Sequence, residues 1–317
     1  MLKDTDGRYR AYLLVAFALG WGSTLLSNVL YVAALAPTNS LNVLPRRFSS
    51  FHMAPGDSEL STDGDRIRRK IRLDSGRDAT VLSRTIPIDD WSITVWEWEK
   101  PAVVIESYWE AQSRNVALVH DSRLLDPFGI VSWPGSVVAA QEMQHRQSIL
   151  KDKNVLILGA GVGLEAQAAA ITGAKHVLAT DIHPTTLKQV EFGAKEAKIE
   201  SIIETRILDL FSQQPLPKAD VIIAADILYN EELASQVARR CAEAVASNPE
   251  IKILVTDSQR FVDFVTELNE NLKEVQKDGY RPLQWEERKL DQFTGSGVAI
   301  DEDQTYDVKV RVLWIGL

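Results

Sequence analysis

The sequence has few of the residues that build disulfide-linked or metal-stabilised folds. Its single cysteine, Cys241, excludes a disulfide within the 317 residues and a site built from several thiolates. The five histidines show no HxxxH or comparable ligand spacing, so we expect no dedicated metal centre. A GK[ST] phosphate loop is absent, and the net charge of −9 argues against a surface that binds nucleic acid. We therefore expect no nucleic-acid partner.

The composition is that of a globular protein, with 45% hydrophobic and 25% charged residues. At roughly 150 residues per domain, the length indicates two domains, or one large α/β domain with an appendage. A polar, turn-rich stretch at 57–66 marks a boundary. We divide the chain into a hydrophobic anchor or targeting segment with its linker (1–60), a β-rich cap (61–131) and an α/β domain (132–317).

Residues 11–36 in the N-terminal part carry no charge, and this stretch is longer than the about 20 residues that a membrane-spanning helix needs. Three interpretations stay open: a membrane anchor, a cleavable signal segment and a buried core helix. Residues 37–56 contain two arginines and no acidic residue. This composition is typical of an organellar transit peptide and equally compatible with a flexible linker. We expect membrane contact through residues 11–36, or targeting along a plastid or secretory route, and a cytoplasmic protein if the segment does neither.

Hydrophobic periodicity predicts strands in the cap and a strand–helix alternation after it. Residues 86–99 alternate, with Trp91, Ile93 and Val95 on one face and Trp96 and Trp98 on the other. The later pattern predicts a doubly wound, mostly parallel sheet with an antiparallel edge hairpin at the C-terminus. Predicted strands are 154–158, 176–180, 202–208, 220–225, 251–256, 281–290 and 306–315, and predicted helices begin at 164 and span 184–198, 231–246 and 261–277.

A glycine-rich turn follows the first strand of the alternation. Gly159, Gly161 and Gly163 form a GxGxG run that includes Ala160 and leads into a helix. Glycine lets the backbone turn sharply and approach a ligand, and the helix N-terminus offers unpaired N–H groups. A dinucleotide fold has its third glycine one residue later, where this sequence has Leu164. The run alone is a weak signal, because a tight turn that binds nothing could have the same glycines.

Acidic residues follow the next two strands. Asp181 ends one strand, where a carboxylate can reach the ribose hydroxyls of a nucleoside, and Asp209, followed by Leu210, could accept a hydrogen bond from an adenine amino group. Either aspartate could instead be a solvated strand end or a helix cap. Because ligands bind at the carboxyl edge of such sheets, we expect these loops to meet there.

At the fourth strand the chain resembles the class I S-adenosylmethionine-dependent methyltransferases, and more closely the seven-β-strand lysine methyltransferases called family 16. The resemblance covers about residues 120–317. It rests on the glycine run, a DxxY motif at Asp226 and Tyr229 after Ala225, and the segment Val131-Ser132-Trp133-Pro134-Gly135. The sequence departs from the family in having Ile157 where members usually carry an acid.

The resemblance implies a seven-stranded Rossmann-like fold in residues 132–317 and S-adenosyl-L-methionine as cofactor. It implies that Asp226 orients an incoming amine, that Tyr229 forms the pocket wall and that Trp133 faces the sulfonium. The cofactor would be held by Trp133, Gly159, Ala160, Gly161, Gly163, Asp181, Asp209, Leu210 and Ala225.

The function expected from the resemblance is N-methylation of a lysine presented by a protein substrate. Three alternatives stay open: a small-molecule or other N-methyltransferase, a non-catalytic cofactor-binding or membrane-tethered interaction protein, and an NAD(P)-dependent oxidoreductase. The missing third glycine disfavours the oxidoreductase.

Overall fold

A computed structural model describes residues 2–3, 9–10, 61–63, 66–72, 78–100, 128–258, 263–276, 280–294 and 305–317. The chain divides into two compact units, 1–57 and 58–317. In the first unit, β1 (Leu2–Lys3) pairs antiparallel with β2 (Tyr9–Arg10). The uncharged stretch 11–36 lies outside the described residues. Within the described part of the chain, no helix is both long and apolar enough to cross a bilayer.

The second unit begins with a four-stranded antiparallel sheet, the cap sheet, formed by β3 (Ser61–Asp63), β4 (Arg66–Arg72), β5 (Asp78–Ile88) and β6 (Trp91–Trp98) in that order. The predicted alternation is confirmed, because Ile93 and Val95 join one hydrophobic cluster while Trp96 and Trp98 join another. Both faces of β6 are therefore covered at these positions.

The central sheet has seven strands in the order β12-β13-β11-β10-β7-β8-β9. Five neighbouring strands are parallel, and β13 and β12 extend one side as an antiparallel pair. The strands are β7 (Asn154–Leu158), β8 (His176–Asp181), β9 (Ile203–Ile207), β10 (Val221–Ala225), β11 (Lys252–Asp257), β12 (Glu286–Thr294) and β13 (Thr305–Ile315). The predicted α/β class and the antiparallel edge hairpin are confirmed.

Six helices accompany this sheet in the described residues: α1 (Pro134–His145), α2 (Gln147–Leu150), α3 (Leu164–Ile171), α4 (Pro184–Glu196), α5 (Glu231–Ser247) and α6 (Phe264–Gln276). A short 3₁₀ helix, Phe128–Ile130, precedes α1. Because successive strand residues point to opposite faces, alternate residues of β7 enter two separate cores. One core contains residues of α1, α3, α4 and the cap sheet, and the other contains residues of α5 and α6.

Two local predictions have different outcomes. Cys241 is a core residue as predicted: it is 1% exposed on α5, and burial raises the pKa of its thiol to about 12. The strand predicted at 281–290 starts later, at Glu286. Leu283 instead exchanges hydrogen bonds with Asn269 of α6 and packs on the α5–α6 core, which holds the preceding residues out of the sheet.

Candidate functional site

A cavity of about 500 Å³ opens at the carboxyl edge of the parallel strands. This volume falls in the range of about 300–1,000 Å³ typical of small-molecule sites. The turns after β7, β8, β9 and β10 all contribute to its wall, as expected for ligand sites in doubly wound sheets. Every residue predicted for the site except Gly163 lines it: Trp133, Gly159, Ala160, Gly161, Asp181, Asp209, Leu210, Ala225, Asp226 and Tyr229.

The turn after β7 brings main chain, without side chains, against the cavity. Gly159 and Gly161 have positive φ values of 67° and 49°. A Cβ atom on Gly161 would lie 3.2 Å from the carbonyl oxygen of Gly129, so a side chain there would crowd the opposite wall. These glycines therefore keep the floor of the cavity open.

Gly163, which was predicted to hold the cofactor, lies at the start of α3. It is absent from the cavity lining and precedes α3 in the left-handed conformation, with φ 86°. A Cβ atom at this position would lie 3.1 Å from a methyl group of Val190 on α4. Close packing of α4 and the start of α3 explain this glycine without a ligand.

Asp181, at the end of β8, is buried beside the glycine turn. Its carboxylate accepts hydrogen bonds from the backbone N–H of Gly161, at 3.1 Å, and of His183, at 2.8 Å. The two bonds tie the end of β8 to the turn after β7 and orient the carboxylate. His183 itself lines the cavity.

The loop after β9 carries Asp209, whose carboxylate accepts a hydrogen bond from the N–H of Phe211 at 2.9 Å. Arg240 of α5, with a side chain only 3% exposed, fastens this loop from behind. Its guanidinium donates to the carbonyl oxygens of Leu210, at 2.9 Å, and Ser212, at 2.8 Å. Gln236 also donates to Leu210. Helix α5 thus determines where Asp209 stands.

Asp226 is the most heavily bonded of the predicted residues. It is 5% exposed and has a left-handed backbone, with φ 53°. Its carboxylate accepts hydrogen bonds from the N–H of Gly135 at 2.5 Å, and from the N–H and the hydroxyl of Ser258, each at 2.7 Å. This side chain therefore joins the start of α1 to the ends of β10 and β11 while it faces the cavity.

Three aromatic rings stand at the same side of the cavity. Phe128 makes edge contacts with Trp133, with ring centroids 6.2 Å apart, and with Tyr229, at 5.2 Å. Trp133 donates its indole N–H to the carbonyl oxygen of Phe128 at 2.8 Å. Such a wall suits a cationic or methylated group, because aromatic faces attract cations.

The cap sheet supports this aromatic side. Glu97 of β6 accepts a hydrogen bond from the N–H of Ser132 at 2.9 Å and pairs with Arg84 of β5 at 2.6 Å. Gln189 of α4 donates to the carbonyl oxygens of Trp96 and Ile130. The segment that leads into Trp133 is thereby fixed from two directions.

Known methyltransferases are similar to parts of this chain. A family model described as ribosomal protein L11 methyltransferase (PrmA) matches residues 97–248. The electron transfer flavoprotein beta subunit lysine methyltransferase of Mus musculus is 31% identical over 114 residues, which cover 35% of this chain and 43% of the relative. Protein-lysine methyltransferase METTL21E of Bos taurus is 29% identical over 178 residues, covering 51% and 61%. The chain thus spans less than half the length of the first of these relatives.

The comparisons support the interpretation of this chain as an S-adenosylmethionine-dependent methyltransferase. They likewise support S-adenosylmethionine as its cofactor. Among solved structures, a ribosomal protein L11 methylase from Lactobacillus delbrueckii subsp. bulgaricus is similar, with 21% identity, 56% of this chain and 77% of that chain covered, and a TM-score of 0.40.

The residues of the cavity fit this cofactor. The side-chain-free turn at Gly161 leaves room for a ligand at the N-terminal end of α3, and Asp181 offers a buried carboxylate next to it. Asp209 stands one strand further on, where it could meet a base. Among the described residues no group of histidine, cysteine and acidic side chains could hold a metal ion.

Several residues of this site escaped the sequence analysis. Phe128, Ser136 and Phe211 line the cavity, and Arg240 and Ser258 hold the residues that do. Their positions depend on packing between distant segments, and no local motif identifies them. Ile157 is buried in β7, so this strand presents no acid where the resembling family usually has one.

Proposed function

We propose that this protein transfers a methyl group from S-adenosylmethionine to the amine of a lysine in a protein substrate. The observation that carries the proposal is the meeting of three separate motifs at one cavity. The glycine turn at Gly161, the carboxylate of Asp181 and the corner formed by Asp226 and Tyr229 line the same space. These motifs lie far apart in the sequence, so their convergence is a property of the fold.

The bound cofactor supplies an activated methyl group. Transfer forms a bond between the amine nitrogen and the methyl carbon as the bond from that carbon to sulfur breaks. The amine must first lose a proton, because a lysine side chain has a pKa near 10.4 in solution. We assign this proton to water and assign Asp226 to orientation, since its carboxylate is already held by Gly135 and Ser258. Positioning of the reactants then provides most of the acceleration.

Two observations support a lysine acceptor. Relatives that match part of the chain include enzymes described as lysine methyltransferases. The aromatic side of the cavity, formed by Phe128, Trp133 and Tyr229, could hold an alkylammonium group by cation–π attraction of about 0.5–2 kcal/mol per ring.

The test is to incubate the full chain with cofactor that carries a trideuterated methyl group and with a cell extract. Proteins and small molecules are then searched for the label by mass spectrometry. We expect the label on lysine side chains of one or a few proteins. The matched control is Gly161→Arg, which fills the floor of the cavity and should give no label.

Other outcomes would favour the alternatives. Label found only on small molecules would replace the lysine proposal by a small-molecule N-methyltransferase. Cofactor binding without any labelled acceptor would favour a non-catalytic binding protein. Binding of NAD(P) in place of S-adenosylmethionine would favour an oxidoreductase.

We further propose that residues 1–60 direct the protein to a membrane or an organelle, on the basis of the uncharged stretch 11–36. A fusion of residues 1–60 to a fluorescent protein tests this, and a signal that stays diffuse through the cytosol would contradict it.

A further inference from the structure

Strand β11 contains a threonine whose hydroxyl group packing alone does not explain. Thr256 is 0% exposed, and the residues before it in the strand, Leu254 and Val255, are buried and apolar. Valine has nearly the same branched shape and the same preference for strands as threonine. A buried hydroxyl is unfavourable unless it forms a hydrogen bond, so the bond that Thr256 makes is the feature to be explained.

The Thr256 hydroxyl binds the start of α1. It donates to the carbonyl oxygen of Gly135 at 2.8 Å, although the two residues are 121 positions apart in the sequence. The carbonyl oxygen of Thr256 accepts a hydrogen bond from the backbone N–H of Asp226 at 2.9 Å. Gly135 closes the ring of hydrogen bonds, because its own N–H donates to the Asp226 carboxylate at 2.5 Å. Thr256 therefore holds Asp226 directly through the main chain and also through Gly135.

Gly135 has no side chain at the place where the Asp226 carboxylate lies. A Cβ atom on Gly135 would lie 2.6 Å from both Cγ and Oδ2 of Asp226, which is closer than such atoms approach without a bond. The backbone of Gly135 is helical, so its conformation does not require glycine. The carboxylate and the first turn of α1 are thus in direct contact, and a shift of that turn would move the carboxylate.

This ring of hydrogen bonds lies behind the cavity wall. Asp226 lines the cavity, whereas Thr256 and Gly135 are not among the described residues that do so. In the proposed transfer the carboxylate of Asp226 orients the acceptor amine. A misplacement of about 1 Å can slow a reaction about a hundredfold, so the rate depends on how firmly this carboxylate is held.

We propose that Thr256 is a positioning residue of the transfer reaction, which acts through Gly135 to hold the carboxylate of Asp226 toward the acceptor amine. This inference rests on the proposed function, because the step that it concerns is the transfer itself. The glycine turn and the acidic residues assigned to the cofactor follow β7, β8 and β9, outside this ring. Loss of the Thr256 hydroxyl should therefore slow methyl transfer while the affinity for the cofactor stays the same.

Two substitutions in the full chain separate positioning from packing. Thr256→Val keeps the shape of the side chain and loses the hydroxyl, whereas Thr256→Ser keeps the hydroxyl and loses the buried methyl group. The transfer rate is measured as the appearance of label from S-adenosylmethionine with a trideuterated methyl group on acceptors in a cell extract. We expect the rate to fall at least about tenfold in Thr256→Val and to stay within about threefold of the wild type in Thr256→Ser.

Cofactor affinity and stability are measured on the same proteins. Calorimetry should show that Thr256→Val binds S-adenosylmethionine within about threefold of the wild type. Urea unfolding should show that Thr256→Ser is destabilised, because it leaves a small cavity. The matched control is Thr172→Val, since Thr172 is also buried and donates its hydroxyl to carbonyl oxygens of α3, but is not among the described residues that line the cavity. Its transfer rate should equal that of the wild type.

Hydrogen exchange of the Gly135 amide gives a readout that needs neither cofactor nor acceptor. A backbone N–H that is held in a hydrogen bond exchanges slowly, so exchange in the ligand-free chain reports the bond from Gly135 to Asp226. We expect exchange to be about tenfold faster in Thr256→Val than in the wild type. Thr256→Ser and Thr172→Val should exchange at the wild-type rate at this amide.

A transfer rate in Thr256→Val equal to that of the wild type would overturn the proposal. A rate in Thr256→Ser as low as that in Thr256→Val would also overturn it, because the methyl group and its packing would then be what matters. If Thr256→Val does not fold, Thr256→Ala takes its place, since it differs from Thr256→Ser only in the hydroxyl. These outcomes leave the proposed function intact, whereas a wild-type protein that labels no acceptor would reject the proposed function and this inference with it.

Discussion

Replacement of Asp226 by alanine is expected to destabilise the fold as well as to stop transfer. The carboxylate holds the N–H of Gly135, which is buried, and the N–H and hydroxyl of Ser258, which are partly buried. The buried N–H of Gly135, left without a partner, costs about 1–3 kcal/mol. The two partly buried donors of Ser258 together cost about 1 kcal/mol, because water can reach them. The left-handed backbone adds about 1 kcal/mol for alanine. The free energy of unfolding should therefore fall by about 3–5 kcal/mol.

The matched control is Asp152→Ala. Asp152 has a similar left-handed backbone, with φ 60°, but it is exposed and makes no side-chain hydrogen bond within the described part of the chain. Its loss should cost only about 1 kcal/mol. Urea unfolding of the full chain measures both variants. If Asp226→Ala unfolded within 1 kcal/mol of Asp152→Ala, the anchoring role would be rejected, and any loss of transfer would belong to chemistry alone.

Three further variants test other parts of the site. Gly161→Ala should weaken cofactor binding at least tenfold by calorimetry, because of its positive φ and its approach to the opposite wall, whereas Gly173→Ala, also at positive φ but outside the cavity lining, should leave binding unchanged. Arg240→Ala should weaken cofactor binding roughly tenfold, because it frees the loop that carries Asp209. Arg239→Ala, at the exposed neighbouring residue, should leave the affinity unchanged. Equal affinities of the two variants would contradict this role of Arg240. Burial in the first turn of α3 raises the pKa of Glu165 to about 7. The raised pKa of Glu165 contributes stability to the ligand-free fold that is fully present below pH 4.5 and is lost as the pH rises through about 7. In urea titrations the free energy of unfolding of the wild type should therefore fall by about 2 kcal/mol relative to that of Glu165→Gln between pH 5 and pH 8. A difference between the two proteins that stays constant with pH would refute the raised pKa.

The sequence was sufficient to predict the order of the elements and the edge where ligands bind. Strand and helix periodicities are local properties, and the strands from β7 to β11 follow them closely. The GxGxG turn is also local, because positive φ at Gly159 and Gly161 is a requirement of the turn itself. Since parallel strands place all their carboxyl ends at one edge, the convergence of Asp181 and Asp226 could be expected before any coordinates.

Tertiary structure decided what these residues touch. Asp226 bonds to Gly135, 91 positions away, and the guanidinium of Arg240 reaches the carbonyl oxygen of Leu210, 30 positions away. Gly163 fits the glycine pattern but packs against Val190 outside the cavity lining. Periodicity specifies which face of an element is buried, whereas hydrogen bonds and pKa values depend on which neighbours the packing of separate elements brings within a few ångströms. For this reason the site could be located from the chain alone, while the anchoring of Asp226 and the raised pKa of Glu165 could be determined only from the folded protein.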